Sequence, residues 1–178
     1  MKDLLRQRTS LKEEIEILLN SQIKMEAEAS AKYLAMASWC DQNGYKNSAA
    51  YFLAQSNEER EHMLKIFNYV LTVGGAAVSP EVGTVEHDYA SFRSVFEAAL
   101  NSEIGVTKSI NRIVTASRNV EDYATENFLQ WFVTEQIEEE DNARRALELF
   151  DVIGEEGVGR YQIDKAIGKL RASESEEA

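Results

Sequence analysis

FLAQSNEEREHMLKIFNYV, residues 52–70, decides how this chain folds. Phe52, Gln55, Glu59, His62, Ile66 and Val70 recur at steps of three and four, which is one face of an α-helix. The face is apolar at both ends and carries an acid and an imidazole in the middle. The helix is expected to run from about Tyr45 to about Val73. Gly74 and Gly75 end it, because glycine takes the left-handed conformation a helix terminus often needs.

The same pattern appears on either side. A first helix is expected from about Leu11 to about Trp39, capped by Thr9 or Ser10. Its stripe is Ile15, Leu18, Leu19, Gln22, Glu26, Ala29, Tyr33 and Ala37. A third is expected from about Phe92 to Arg118, with Phe96, Leu100, Glu103, Val106, Ile110 and Val114. A fourth begins near Glu121 and Asp122, where acids suit the helix dipole, and reaches about Ile153. On it Phe128, Trp131 and Phe132 read as core, followed on the same side by Glu135, Gln136 and Glu139. A short fifth helix spans about Arg160 to Leu170. Residues 1–170 read as a single domain and 171–178 as a polar, disordered tail. Only the stretch from Gly74 to about Ala90 is both long and without helical period. A helix of this size is roughly 40 Å long, and such a connection can return the chain along it. The fold expected is all-α: a four-helix bundle with one long crossover and a short C-terminal helix.

Composition agrees. Hydrophobic residues make up 44% of the 178, enough for a core, and a single proline leaves long helices uninterrupted. The formal net charge of −12 argues against nucleic acid as a partner. It fits a solvated surface, or one that attracts cations. One cysteine, Cys40, forms no internal disulfide and fits a reducing cytoplasm. No long apolar run suggests a membrane span or a signal peptide.

The interruptions of the stripes carry the chemistry. Glu26, Glu59, His62 and Glu103 fall mid-helix, where neighbours in sequence are buried. A buried unpaired carboxylate costs several kcal/mol, against a domain stability of roughly 5–15 kcal/mol. Oxygen donors with one imidazole suit iron or manganese before zinc. A lone Glu-x-x-His is also the pattern of two solvated side chains; the coincidence on three stripes is what favours a metal. Tyr33 is either core or a hydrogen-bond partner of a metal carboxylate. His87, in the crossover, reads as an exposed loop residue.

Taken together, these stretches resemble the ferritins, most closely the non-haem bacterial type. The matching segments are KMEAE with Glu26 and then Tyr33, NEEREHM with Glu58, Glu59 and His62, Glu103, and FLQWFVTEQIEEE with Glu135, Gln136, Glu138 and Glu139. The resemblance implies a ferroxidase: Glu26, Glu59 and His62 on a first iron, Glu59 bridging, Glu103 and Gln136 on a second, with Tyr33 beside them. Glu58, Glu135, Glu138 and Glu139 match a third iron position, and apolar Ile137 adjoins it. It also implies oxidation of Fe(II) by dioxygen or hydrogen peroxide, storage of ferric oxide, and a hollow homo-oligomer of 24 subunits whose fifth helix lines a four-fold axis. Glu121, Asp122 and Glu126 are candidates for an iron opening. The haem methionine position of bacterioferritins is Arg60 here, so no haem is expected. The fourth helix has no histidine, so the centre is asymmetric.

Overall fold

The structure, a computed structural model, describes residues 9–170. Five helices follow one another: α1 Glu13–Gln42, α2 Lys46–Thr72, α3 Phe92–Asn119, α4 Tyr123–Ile153 and α5 Gly159–Leu170. Among the described residues there is no strand, and no helix is long and apolar enough to cross a membrane.

Two hydrophobic clusters sit at opposite ends of the bundle. One joins the C-terminal part of α1 (Tyr33, Met36, Cys40) to Phe52 of α2, Phe92 and Phe96 of α3, Phe150 of α4, and Ile163 and Ile167 of α5. The other joins Ile15 and Leu19 of α1, Ile66 and Val70 of α2, Ile110 and Ile113 of α3, and Leu129 and Phe132 of α4. The early residues of α2 and α3 share the first cluster, so these two helices run parallel. Residues 73–91 are the crossover that this requires. Gly74 adopts φ 87°, and a Cβ on Gly75 would come within 2.8 Å of Leu11 Cδ2. Position 74 therefore needs glycine, and Gly75 leaves room for the Leu11 side chain where the chain leaves α2 against α1. Asn20 then holds the departing strand of chain, donating to Ala76 O and accepting from Val78 N.

Several expectations shift. Neither Thr9 nor Ser10 caps α1. Lys12 stands at the N-cap with no side-chain bond, because Thr9 Oγ1 is engaged by Val73 O and Leu11 N. On α3 Ala99 and Ile113 are buried, while Leu100 and Val114, one residue on, are only half-buried. Trp131 is not core: it is 39% exposed, with the Lys65 ammonium 3.1 Å from its ring centroid. Phe132 takes the interior place.

The α5 helix is anchored by one carboxylate. Asp164 is buried and accepts from the backbone N–H of Asn47 and Ser48 and from both side chains, at 2.7–3.3 Å. It caps the start of α2, whose own N-cap residue Tyr45 makes no side-chain cap bond. Asp164→Ala is expected to cost about 2–3 kcal/mol, the scale of lost charge-assisted bonds at a buried helix end. Thermal denaturation would show it, and an unchanged melting temperature would refute it.

Candidate metal centre

Between the two hydrophobic clusters lies a polar layer. Four helices each bring one or more side chains into it at mid-length: Glu26 from α1, Glu59 and His62 from α2, Glu103 from α3, and Gln136 and Glu139 from α4. All six are buried. Residues three apart on a helix share a face, so Glu59 and His62 both turn inward. The flanking apolar residues leave no alternative phase.

The layer is not internally satisfied. Glu26 Oε2, both oxygens of Glu59, Glu103 Oε2 and His62 Nδ1 are buried without a hydrogen-bond partner. Ser117 Oγ is the one other such side-chain atom among the described residues. Buried polar groups are nearly always paired, and a cluster of exceptions needs an explanation. Here every orphan is a cation ligand by type. One ligand atom each from Glu26, Glu59 and His62 falls within a 4.8 Å group. His62 Nδ1 lies 3.7 Å from Glu59 Oε2, and neither Glu59 oxygen has a hydrogen-bond partner.

Burial, followed by the neighbouring carboxylates, pushes Glu26, Glu59 and Glu139 well above the usual carboxylate range. Burial likewise raises Glu103, to about 7, although Tyr33 and Gln136 donate to it. Without a cation the layer therefore holds protons near neutral pH.

A second group shares the imidazole. Atoms of Glu58, His62, Glu135 and Glu139 also lie within 4.8 Å of one another. His62 Nε2 is 4.0 Å from Glu135 Oε1, so the ring has one nitrogen toward each group. Glu138 does not join: it is exposed, and only its charge is felt at Glu135. Ile137 is exposed as well. Tyr33 resolves in favour of a hydrogen bond, donating to Glu103 Oε1. His87 is exposed in the crossover. Of the three acids considered for an iron opening, Asp122 accepts from Thr125 as the N-cap of α4 and Glu126 pairs with Arg118, while Glu121 is exposed.

The supporting residues were the ones not foreseen. Gln22 Nε2 donates to Glu26 Oε1 at 2.8 Å. Gln55 Nε2 donates to Glu139 Oε2 at 2.8 Å. Thr107 Oγ1 lies 2.9 Å from Gln136 Oε1 and 2.6 Å from Glu140 Oε1. A signal existed in the sequence: Gln22, Gln55, Thr107 and Glu140 each stand four residues from Glu26, Glu59, Glu103 and Gln136, on the same helical face.

The chain is similar to known proteins along most of its length. A family model described as Ferritin-like domain matches residues 17–153. A probable bacterial non-heme ferritin-like protein of Haemophilus influenzae is 38% identical over 160 residues, covering 90% of this chain and 97% of that protein. A bacterial non-heme ferritin of Campylobacter jejuni is 37% identical over 163 residues, covering 92% and 98%. Among solved structures, an open pore ferritin from the hyperthermophilic archaeon Archaeoglobus fulgidus superposes with a TM-score of 0.87 at 34% identity, covering 89% of this chain and 97% of that one.

Proposed function

The chain belongs to the ferritin family, and on that premise we propose that it oxidises Fe(II) to Fe(III) and stores the product as hydrated ferric oxide inside a hollow homo-oligomer. The observation that carries this reading is the set of five orphaned ligand atoms from four residues on three helices.

Iron is the substrate. One Fe(II) is held by Glu26, Glu59 and His62 Nδ1, and a second by the remaining Glu59 oxygen, Glu103 and Gln136. Glu59 bridges because both its oxygens lack any other partner. Each Fe(II) gives up one electron. Dioxygen takes the two electrons and two protons to become hydrogen peroxide. Hydrogen peroxide in the same role takes two electrons and two protons to become two waters. Hard carboxylate oxygens favour the higher charge of Fe(III), which drives the oxidation. The neutral amide of Gln136 makes the second position the weaker one and lets product leave. Tyr33 orients Glu103 by its hydrogen bond. Glu58, Glu135 and Glu139, on the outer face of His62, offer a third iron position, with Glu138 at its edge.

The acidic balance of the chain favours attraction of Fe(II). A lone free cysteine, Cys40, fits the reducing, cytoplasmic setting proposed here. The proposed shell has 24 subunits, and size-exclusion chromatography reads that number.

Anaerobic Fe(II) titration followed by an oxygen pulse tests the function. The expected result is tight binding of about two Fe(II) per chain, then oxygen uptake of about one molecule per two iron ions, by the electron balance above. Binding without oxygen uptake would leave an iron-binding bundle without turnover. No binding at all would leave a structural bundle.

A further inference from the structure

The Gln136 amide sits between two groups that favour opposite orientations. Its Oε1 faces Thr107 Oγ1 at 2.9 Å, and the amide on its other side lowers the pKa of buried Glu103, as a donor turned toward that carboxylate would. The same Thr107 hydroxyl lies 2.6 Å from Glu140 Oε1, and Glu140 Oε2 accepts from Arg144 Nη1 at 2.9 Å.

A hydroxyl carries one hydrogen, so Thr107 cannot donate to both oxygens. The carboxylate is the nearer and the charged acceptor, and charge-assisted bonds are the stronger ones. Once the hydrogen goes to Glu140, the Gln136 and Thr107 oxygens face each other with nothing between them. Turning the amide over removes that conflict. Nε2 then donates to Thr107, Thr107 donates to Glu140, and Arg144 donates to Glu140, all in one sense. The amide oxygen is left pointing toward Glu103. Two oxygens facing each other there are favourable only with a cation, or a proton on Glu103, between them. The amide thus has two states: nitrogen inward, donating to Glu103, or oxygen inward, ready as a ligand.

We propose that Thr107 and Glu140 are positioning residues that bias the Gln136 amide oxygen inward and so set the affinity of the second Fe(II) position. The inference rests on the function proposed above, since it needs Gln136 as a ligand. Supporting residues of this kind are known to orient ligands and to govern affinity.

A cleft lined by Thr107, Gln136, Ile137, Glu140 and Arg144 opens over this chain of bonds. Thr107 and Glu140 themselves belong to neither hydrophobic cluster. Thr107→Val keeps the shape and removes the hydroxyl. Glu140→Ala keeps the hydroxyl but leaves it only Gln136 Oε1 to donate to, which fixes the amide the wrong way round.

The experiment is anaerobic Fe(II) calorimetry on the full-length assembled protein, with helical content checked by circular dichroism. In Thr107→Val the first Fe(II) is expected to bind as in the wild type and the second roughly tenfold more weakly, the scale of one lost hydrogen bond to a ligand. Thr107→Ser should restore the second position. Glu140→Ala should weaken it as well. The double variant should be no worse than Thr107→Val alone, because both act through one hydroxyl. Wild-type affinity for the second ion in Thr107→Val, equal weakening of both ions, or additive losses in the double variant would each overturn the proposal. If the wild type itself bound no second Fe(II), the ferroxidase reading would fall, and this inference with it. If the wild type bound two and Thr107→Val matched it, only the inference would fall.

Discussion

Glu59→Ala is expected to slow Fe(II) oxidation by about a hundredfold or more, the scale on which one preorganised polar group is felt in an active site. No other residue in the layer has both ligand atoms buried and unpartnered. Glu59 also groups with Glu26 and His62 and feels the charge of Glu103. Its loss removes a ligand from both iron positions and the link that lets two one-electron oxidations serve one oxidant. His62→Ala is expected to cost a similar factor, since its ring lines both ligand groups. Glu148→Ala is the contrast: its side chain is exposed and outside either group, so the rate should stay within about twofold, as for surface changes generally. The measurement is stopped-flow absorbance at two Fe(II) per chain. Oxidation at the wild-type rate in Glu59→Ala would remove Glu59 from the mechanism.

The metal-free protein should become less stable as pH rises, opposite to ordinary acid denaturation. The sign follows from Glu103, which titrates at about 7 in the folded chain against an ordinary 4.5. Between these values the folded state binds the proton more tightly than the unfolded state. Its contribution is fully present below about pH 4.5 and lost as pH rises through about 7, amounting to about 3 kcal/mol from this residue. Glu26, Glu59 and Glu139 are displaced in the same direction and add to the trend. A bound divalent cation reverses it, because protons then compete with the ion for the same oxygens. Melting temperatures with chelator and with saturating Zn(II), across about pH 5 to 8, should cross over. Glu103→Gln should raise the stability of the metal-free protein at about pH 8 by roughly 2–3 kcal/mol and flatten its slope. A metal-free protein that is more stable at about pH 8 than at about pH 5 would contradict the assignment of these carboxyls as buried and unpaired.

The bundle was legible because helical period is a local property. Phe52, Ile66 and Val70 announce the buried face of α2, and Glu59 and His62 stand on it by arithmetic alone. The two glycines at 74 and 75 and the aperiodic stretch after them announced the crossover. What depends on other helices was harder to read. Trp131 and Phe132 are adjacent aromatics, and only the rotation of α4 against α2 decides which is interior. Thr107 and Glu140 gain meaning only when α3 and α4 lie side by side. The start of α1 was misread for a similar reason: the hydroxyl of Thr9 is drawn away by the end of α2, which sequence position cannot reveal.

The cap on α2 has a consequence for synthesis. Ser48 and its acceptor Asp164 are 116 residues apart in the chain. At about 5–20 residues per second, a ribosome needs roughly 6–25 s between them. For that interval the end amides of α2 have no carboxylate to receive them, and only the arrival of α5 completes the cap. The start of α2 is therefore finished by a segment made long after it, and any chain that has not yet reached residue 164 holds that helix end open.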